Sequence, residues 1–317
     1  NVNRIISNGT SAGGAMSALL GTTGDHPDYA PYLDEMGAAE ASDAVFAASC
    51  YCPITNLDHA DAAYEWEFHG LNDYHNKKMV PAEREGDTPE WIPVDGVMTK
   101  EQQNFSDLLR DSFPGYVNGL QLKDGAGKAL TLNEQGEGSF LEYIKSYVAA
   151  SARKELEKGS DLSELDWLEA EDGREPVIDF RKYVQFRTRM KEAPAFDSTA
   201  LGTPENELFG TKQIRYRHFT GFSFQHSTAE GQLADALQVK MMNPMNYMED
   251  EKAVKAEHFR IRHGTADRDT SLAISAMLAA KLTEVQIDTE LFYPWGMPHA
   301  GDYDLEELFA WIDHVCI

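Results

Sequence analysis

Positive charge is scarce in this chain: 28 Lys and Arg stand against 53 Asp and Glu, a formal net charge of −25. Nucleic acid and anionic membrane surfaces both require a cationic face, so neither is expected as a partner, and an anionic substrate would need local cations. Cysteine is scarce as well. Cys50, Cys52 and Cys316 supply neither a disulfide framework nor a zinc spacing, and nothing calls for a cofactor. Two of them close the apolar run AVFAASCYC, an ordinary place for buried free thiols. Long apolar runs are missing, since no stretch reaches the roughly eighteen residues of a membrane-spanning candidate. Internal repeats and low-complexity tracts are missing too.

What is present begins with RIISNGTSAGGAMSALL (4–20). A short strand over 4–8 meets a glycine-flanked serine, and a small-residue helix over Ala12–Leu20 follows. Gly9-Thr10-Ser11-Ala12-Gly13 fits G-x-S-x-G in its proper strand–turn–helix setting. Such a strained turn exposes the serine at its apex and brings backbone too close for side chains at the glycines. The Ala12 amide, at the helix start, is a candidate oxyanion donor.

A nucleophilic serine needs a base, and the base needs an orienting acid. In α/β-hydrolases the chain order is serine, acid, histidine, the last two on loops after late strands. Asp267 follows the strand pattern HFRIRHG (258–264), and His299 follows TELFYPW (289–295). Both fall at the C-terminal ends of predicted strands, where open α/β sheets place their sites. The remaining histidines are read as structural or solvated. Asp269 alone would read as the N-cap of a helix starting at Thr270. The Asp58-His59-Ala60-Asp61 cluster is expected to be a helix start rather than a metal site. The basic run Arg181, Lys182, Arg187, Arg189 and Lys191 is expected to be mostly a solvated face.

The pattern along the chain divides into core, insertion and core. A second buried strand is predicted over Ala44–Ser49. From about residue 56, turn signals and isolated helices take over, at Ala62–Phe68, Lys100–Phe113 and Phe140–Leu156. Ser227 and Glu230 suggest a capping box opening a helix over 228–242. Strand–helix alternation then returns, with helices at Ser271–Leu282 and Tyr303–Val315 around the two late strands. Alternation of this kind implies a mostly parallel sheet in an α/β fold.

The stretches NGTSAGGAMSALLGTTG, FAASCYCPITNLDHADAAYEWEF, TPENELFGT, RIRHGTADRDTSLAI and MPHAGDYDLEELFAWI resemble the bacterial tannases (tannin acyl hydrolases) and run the length of the chain. The resemblance implies an α/β-hydrolase core over 1–55 and 244–317 with a large inserted lid domain over 56–243. It implies a triad of Ser11, Asp267 and His299 that cleaves galloyl esters through a galloyl-serine intermediate. It also implies that Lys191, Glu205 and Asp269 hold the galloyl hydroxyls, with Glu207 the alternative to Glu205. A feruloyl-type aryl esterase, or a phenolic-binding fragment without turnover, remains the competing reading.

One departure accompanies the resemblance. The early strands of an α/β-hydrolase, and the loop that gives the second oxyanion donor, do not precede Ser11 here. An elbow strand is normally central and buried on both faces. An upstream fragment of the same precursor is therefore expected as partner, completing the sheet and the oxyanion hole.

Overall fold

The computed structural model describes residues 4–80, 90–171 and 173–317. Its centre is a four-stranded sheet in the order β1 (Ile6–Thr10), β2 (Ala47–Tyr51), β7 (His258–Arg262) and β8 (Asp288–Phe292), every neighbouring pair parallel. Strand β2 is buried throughout and β7 nearly so, as expected for strands covered on both faces. Strands β1 and β8 flank them and are only partly covered, and Ile5, just before β1, is exposed.

Helix α1 (Ala12–Thr23) follows β1 and lies close against the sheet because its glycines permit it. A Cβ on Gly14 would meet the Tyr51 carbonyl oxygen at 2.6 Å, and one on Gly21 would overlap the Phe259 ring. After α2 (Ala30–Met36) and β2 comes α3 (Leu57–Phe68), almost wholly buried. It carries Asp61, Glu65 and Glu67 into the interior beside Tyr64, Trp66 and Phe68. Since β2 and β7 pair directly, the long stretch between them leaves the sheet and returns to the neighbouring position.

That stretch, among the described residues, adds no strand to the central sheet. It holds an antiparallel hairpin of β3 (Asp73–Val80) and β4 (Glu90–Val97), a two-residue pair of β5 (Leu168–Glu169) and β6 (Val177–Ile178), and helices. Helix α4 (Lys100–Gly119) opens with a full capping box between Thr99 and Gln102, and α5 (Ser139–Glu157) buries Phe140, Ile144 and Val148. Four short helices follow: α6 (Phe180–Arg187), α7 (Pro204–Leu208), α8 (Gly221–Gln225) and α9 (Ala236–Met241). The helix expected over 228–242 is reduced to α9. Ser227 does not cap it: its hydroxyl donates to the Ala229 carbonyl at 2.9 Å and lies 2.8 Å from His218 Nε2.

The last part behaves as its periodicity indicates. Helix α10 (Leu272–Glu284) is apolar on every side and correspondingly buried, whereas α11 (Leu305–Val315) leaves Leu305 and Phe309 exposed. No helix among the described residues is long and apolar enough to cross a membrane.

Because the four strands are parallel, their carboxyl ends lie along one edge of the sheet. Ser11 follows β1, Cys52 follows β2, the 263–271 loop follows β7 and the 293–304 loop follows β8. The sequence-predicted nucleophile, acid and histidine thus emerge along the same edge.

Candidate active site

Ser11 sits between β1 and α1 with φ 59° and ψ −118°, left-handed territory that a serine enters only under constraint. The constraint is visible. Its amide donates to the Tyr51 carbonyl at 2.9 Å, and its own carbonyl accepts from Ala15 at 2.9 Å. A Cβ on Gly9 would overlap the Gly13 carbonyl, so glycine is required there. Gly13 has open space around its missing Cβ, and the crowded second glycine is Gly14 instead. Ala12 is the first residue of α1, and its amide is one of those a helix start leaves without an intrahelical acceptor.

Asp267 is fully buried at the turn after β7 and uses both oxygens. Oδ1 accepts from the amides of Asp269 (2.8 Å) and Thr270 (3.3 Å), which fixes the carboxylate plane. Oδ2 lies 2.8 Å from His299 Nδ1 and 3.1 Å from His263 Nε2. Burial alone would raise this acid. The nearby His263 imidazole and the hydrogen bond from His299 outweigh it and hold the carboxyl well below its usual range. His299 responds in the opposite direction. Burial lowers it, but the Asp267 hydrogen bond, with Cys52 adding to it, raises it above its ordinary value. With Nδ1 committed to Asp267, the free ring nitrogen is Nε2, which is buried and has no hydrogen-bond partner.

The 299–302 loop lies across the end of β1. Asn8 Nδ2 donates to Asp302 Oδ1 at 3.2 Å, and a Cβ on Gly301 would overlap the Thr10 side chain. Ser11 and His299 are therefore on neighbouring turns, and Ser11 is not hydrogen-bonded to His299 Nε2 in this arrangement.

Lys191, from the long stretch between β2 and β7, reaches the same loop. Its Nζ is 2.9 Å from Asp269 Oδ1 and 4.0 Å from the centre of the Phe196 ring. Asp269 does not cap α10; Ser271 does, accepting from the Ala273 amide. Glu205 on α7 is half-buried, and its carboxyl is raised by burial, with Lys191 opposing and Asp269 reinforcing the shift. It therefore shares its surroundings with that pair. Glu207 points outward and pairs with Arg215 at the surface. Lys191 and Asp269 meet directly, Glu205 lies near enough for both charges to act on its carboxyl, and Glu207 stands apart.

The rest of the basic run departs from the solvated face expected of it. Arg181 and Lys182 are exposed, but Arg187 and Arg189 are buried. Arg187 pairs with Glu67 at 2.6 Å and Arg189 with Glu65, each pair sealed from solvent. Arg187 closes α6, and the chain turns at Thr188 so that Arg189 and Lys191 follow outside the helix, each cation meeting an acid from a distant segment.

Three groups beside the site were not anticipated as neighbours of it. His263 stands behind Asp267, its Nδ1 2.8 Å from Ser275 Oγ. Cys52 is a buried thiol as expected, but it lies against His299 and donates to the Ala300 carbonyl at 3.4 Å. Tyr64 bonds the backbone of Met190 and Lys191. Only His263 left a trace in the sequence, four residues before Asp267 at the end of its strand. His218, in turn, is buried between Asp197 and Ser227, 2.8 Å from each, and Asp197 also accepts from Asn206 in α7. That network fixes the segment carrying Glu205.

The chain is similar over its whole length to solved tannases. Against the tannase from Lactobacillus plantarum the identity is 43% and the TM-score 0.97, with 100% of this chain and 67% of that one covered. Against the Fusobacterium nucleatum tannase the identity is 43% and the TM-score 0.92, covering 99% of this chain and 68% of that one. A tannin acyl hydrolase in complex with ethyl gallate is 43% identical, TM-score 0.92, with 100% of this chain and 66% of that one covered. The chain thus spans about two thirds of their length. No family model and no curated protein matches it.

Proposed function

The chain belongs to the bacterial tannases, a family of carboxylic ester hydrolases, and from that premise we propose that it hydrolyses galloyl esters with Ser11 as nucleophile. The observation that carries this reading is a single loop with two tasks. Asp267 faces His299 Nδ1 at 2.8 Å, and two residues on Asp269 faces Lys191 Nζ at 2.9 Å. Chemistry and recognition are then held in one rigid register.

In the proposed reaction His299 Nε2 takes the proton of Ser11 Oγ as that oxygen attacks the galloyl carbonyl. Asp267 fixes the tautomer with Nε2 as base and stabilises the imidazolium that forms. The Ala12 amide receives the developing oxyanion. Protonated His299 then delivers its proton to the departing alcohol. Water, deprotonated by the same nitrogen, attacks the galloyl-serine ester and releases gallate.

Lys191, Glu205 and Asp269 are the proposed partners of the three phenolic hydroxyls: carboxylates accept from them and the ammonium donates to them. A site built on such pairs discriminates strongly against an acyl group without the hydroxyls, because its polar groups would stay unpaired. The division into a hydrolase core at 1–55 and 244–317 with a lid at 56–243 is proposed on the direct pairing of β2 with β7. The upstream fragment expected as partner would cover the outer edge of β1 and the exposed Ile5, Met16, Leu20 and Phe309.

The experiment compares methyl gallate with methyl benzoate and methyl ferulate, in wild type and Asp269→Ala. The proposal expects gallate to be preferred, and Asp269→Ala to erase most of that preference. Equal losses on all three esters would return Asp269 to a structural role, and a preference for ferulate would favour the feruloyl-type esterase.

A further inference from the structure

Lys191 is held at three points, and only one of them is its charge. Its Nζ meets Asp269; its amide N–H donates to the Tyr64 hydroxyl at 3.0 Å; its carbonyl accepts from Arg189 Nε at 2.6 Å. Tyr64 lies on the buried helix α3 with no exposed surface. Its hydroxyl also accepts from the Met190 amide at 3.1 Å and donates to the Arg268 carbonyl at 2.9 Å. A phenol offers one proton and two acceptor sites, so this hydroxyl is fully used.

The arrangement joins two segments far apart in sequence. Residues 190–191 carry the ammonium, and Arg268 lies between Asp267 and Asp269. One oxygen atom therefore sets the spacing of the two backbones from which Lys191 and Asp269 project. A second tie runs parallel to it, from Arg268 Nη1 to Thr188 Oγ1 at 2.6 Å. Arg189 is itself immobilised by Glu65, whose other contact is the Ser106 hydroxyl. Burial pushes the Tyr64 phenol up, so the proton needed for the Arg268 carbonyl stays in place across the working pH range.

We propose that Tyr64 is a positioning residue for acyl-group selectivity, its hydroxyl fixing the Lys191–Asp269 pair at the separation that fits vicinal phenolic hydroxyls. The inference rests on the galloyl reading above and adds a residue that touches neither substrate nor the reacting atoms. Selectivity is then set partly by a side chain on another element, behind the Lys191–Asp269 pair.

Tyr64→Phe keeps the ring and deletes the junction. The expected result is a KM for methyl gallate raised about tenfold with kcat within about twofold, while the KM for methyl benzoate moves by less than about twofold. A purely structural role would lower both esters together, and that outcome overturns the inference, as does an unchanged ratio of gallate to benzoate. Should Tyr64→Phe fail to fold, Thr188→Val removes only the parallel tie. It is expected to raise the methyl gallate KM about threefold with the same split, and unchanged selectivity there overturns the inference. Wild type and Asp269→Ala separate the two levels. If wild type shows no preference for gallate, the galloyl reading itself fails. If Asp269→Ala erases a clear preference that Tyr64→Phe preserves, the positioning role alone fails.

Discussion

Replacing Asp267 by asparagine should lower kcat on methyl gallate about 10⁴-fold, and the structure shows by what route. Oδ1 accepts from the backbone amides of Asp269 and Thr270, so the asparagine carbonyl must take that side. The NH2 group then faces His299 Nδ1 and His263 Nε2, where the carboxylate stood. An amide N–H opposite Nδ1 demands a lone pair there, which moves the imidazole proton to Nε2. That is the nitrogen required as base for Ser11. The fold adapts at modest cost while the base is lost, a barrier increase of about 5 kcal/mol at unchanged geometry. The assay is steady-state hydrolysis of methyl gallate beside a urea titration. A variant that keeps a tenth or more of wild-type kcat would refute the tautomer argument. So would one whose loss is matched by wholesale unfolding, since the activity would then report stability.

Two further outcomes concern the buried charges. Glu65→Ala leaves the Arg189 guanidinium sealed without its acid and should destabilise by about 3–5 kcal/mol in urea unfolding; a loss under about 1 kcal/mol would mean that water reaches the site. Asp61 is buried with Asp197 nearby, and burial first, then that neighbouring charge, raises its carboxyl to about 7. Between pH of about 4 and about 7 the folded chain thus keeps a proton that the unfolded chain has released, so this group costs stability as pH rises through that window. The stability of Asp61→Asn relative to wild type should climb across the same window and then level off. A difference constant with pH would contradict the assignment.

The parts of this fold legible in the sequence are those whose signals are local. The elbow, α10 and α11 announce themselves by glycines, small residues and apolar period, and Asp267 and His299 by their place after strands. The unreadable parts are those decided at long range. Arg187 and Arg189 look like a solvated run because Glu67 and Glu65, which bury them, lie about 120 residues earlier. The hairpin of β3 and β4 is hidden because Pro93 and Gly96 interrupt its second strand. The helix expected at 228–242 fails because the Ser227 hydroxyl is committed to His218 and the Ala229 carbonyl, a competition no local pattern records. Tyr64 is the extreme case. The positioning role proposed for it rests on three backbone groups from two other segments, and its neighbours in sequence reveal none of them.

The central claim, that Ser11 is the nucleophile, is tested most directly by Ser11→Ala. The variant should be a folded protein whose methyl gallate hydrolysis falls about 10⁵- to 10⁶-fold, leaving only what binding and the remaining donors supply. Retention of more than a hundredth of wild-type kcat would contradict it, and the elbow at residues 9–13 would then be a tight turn and nothing more.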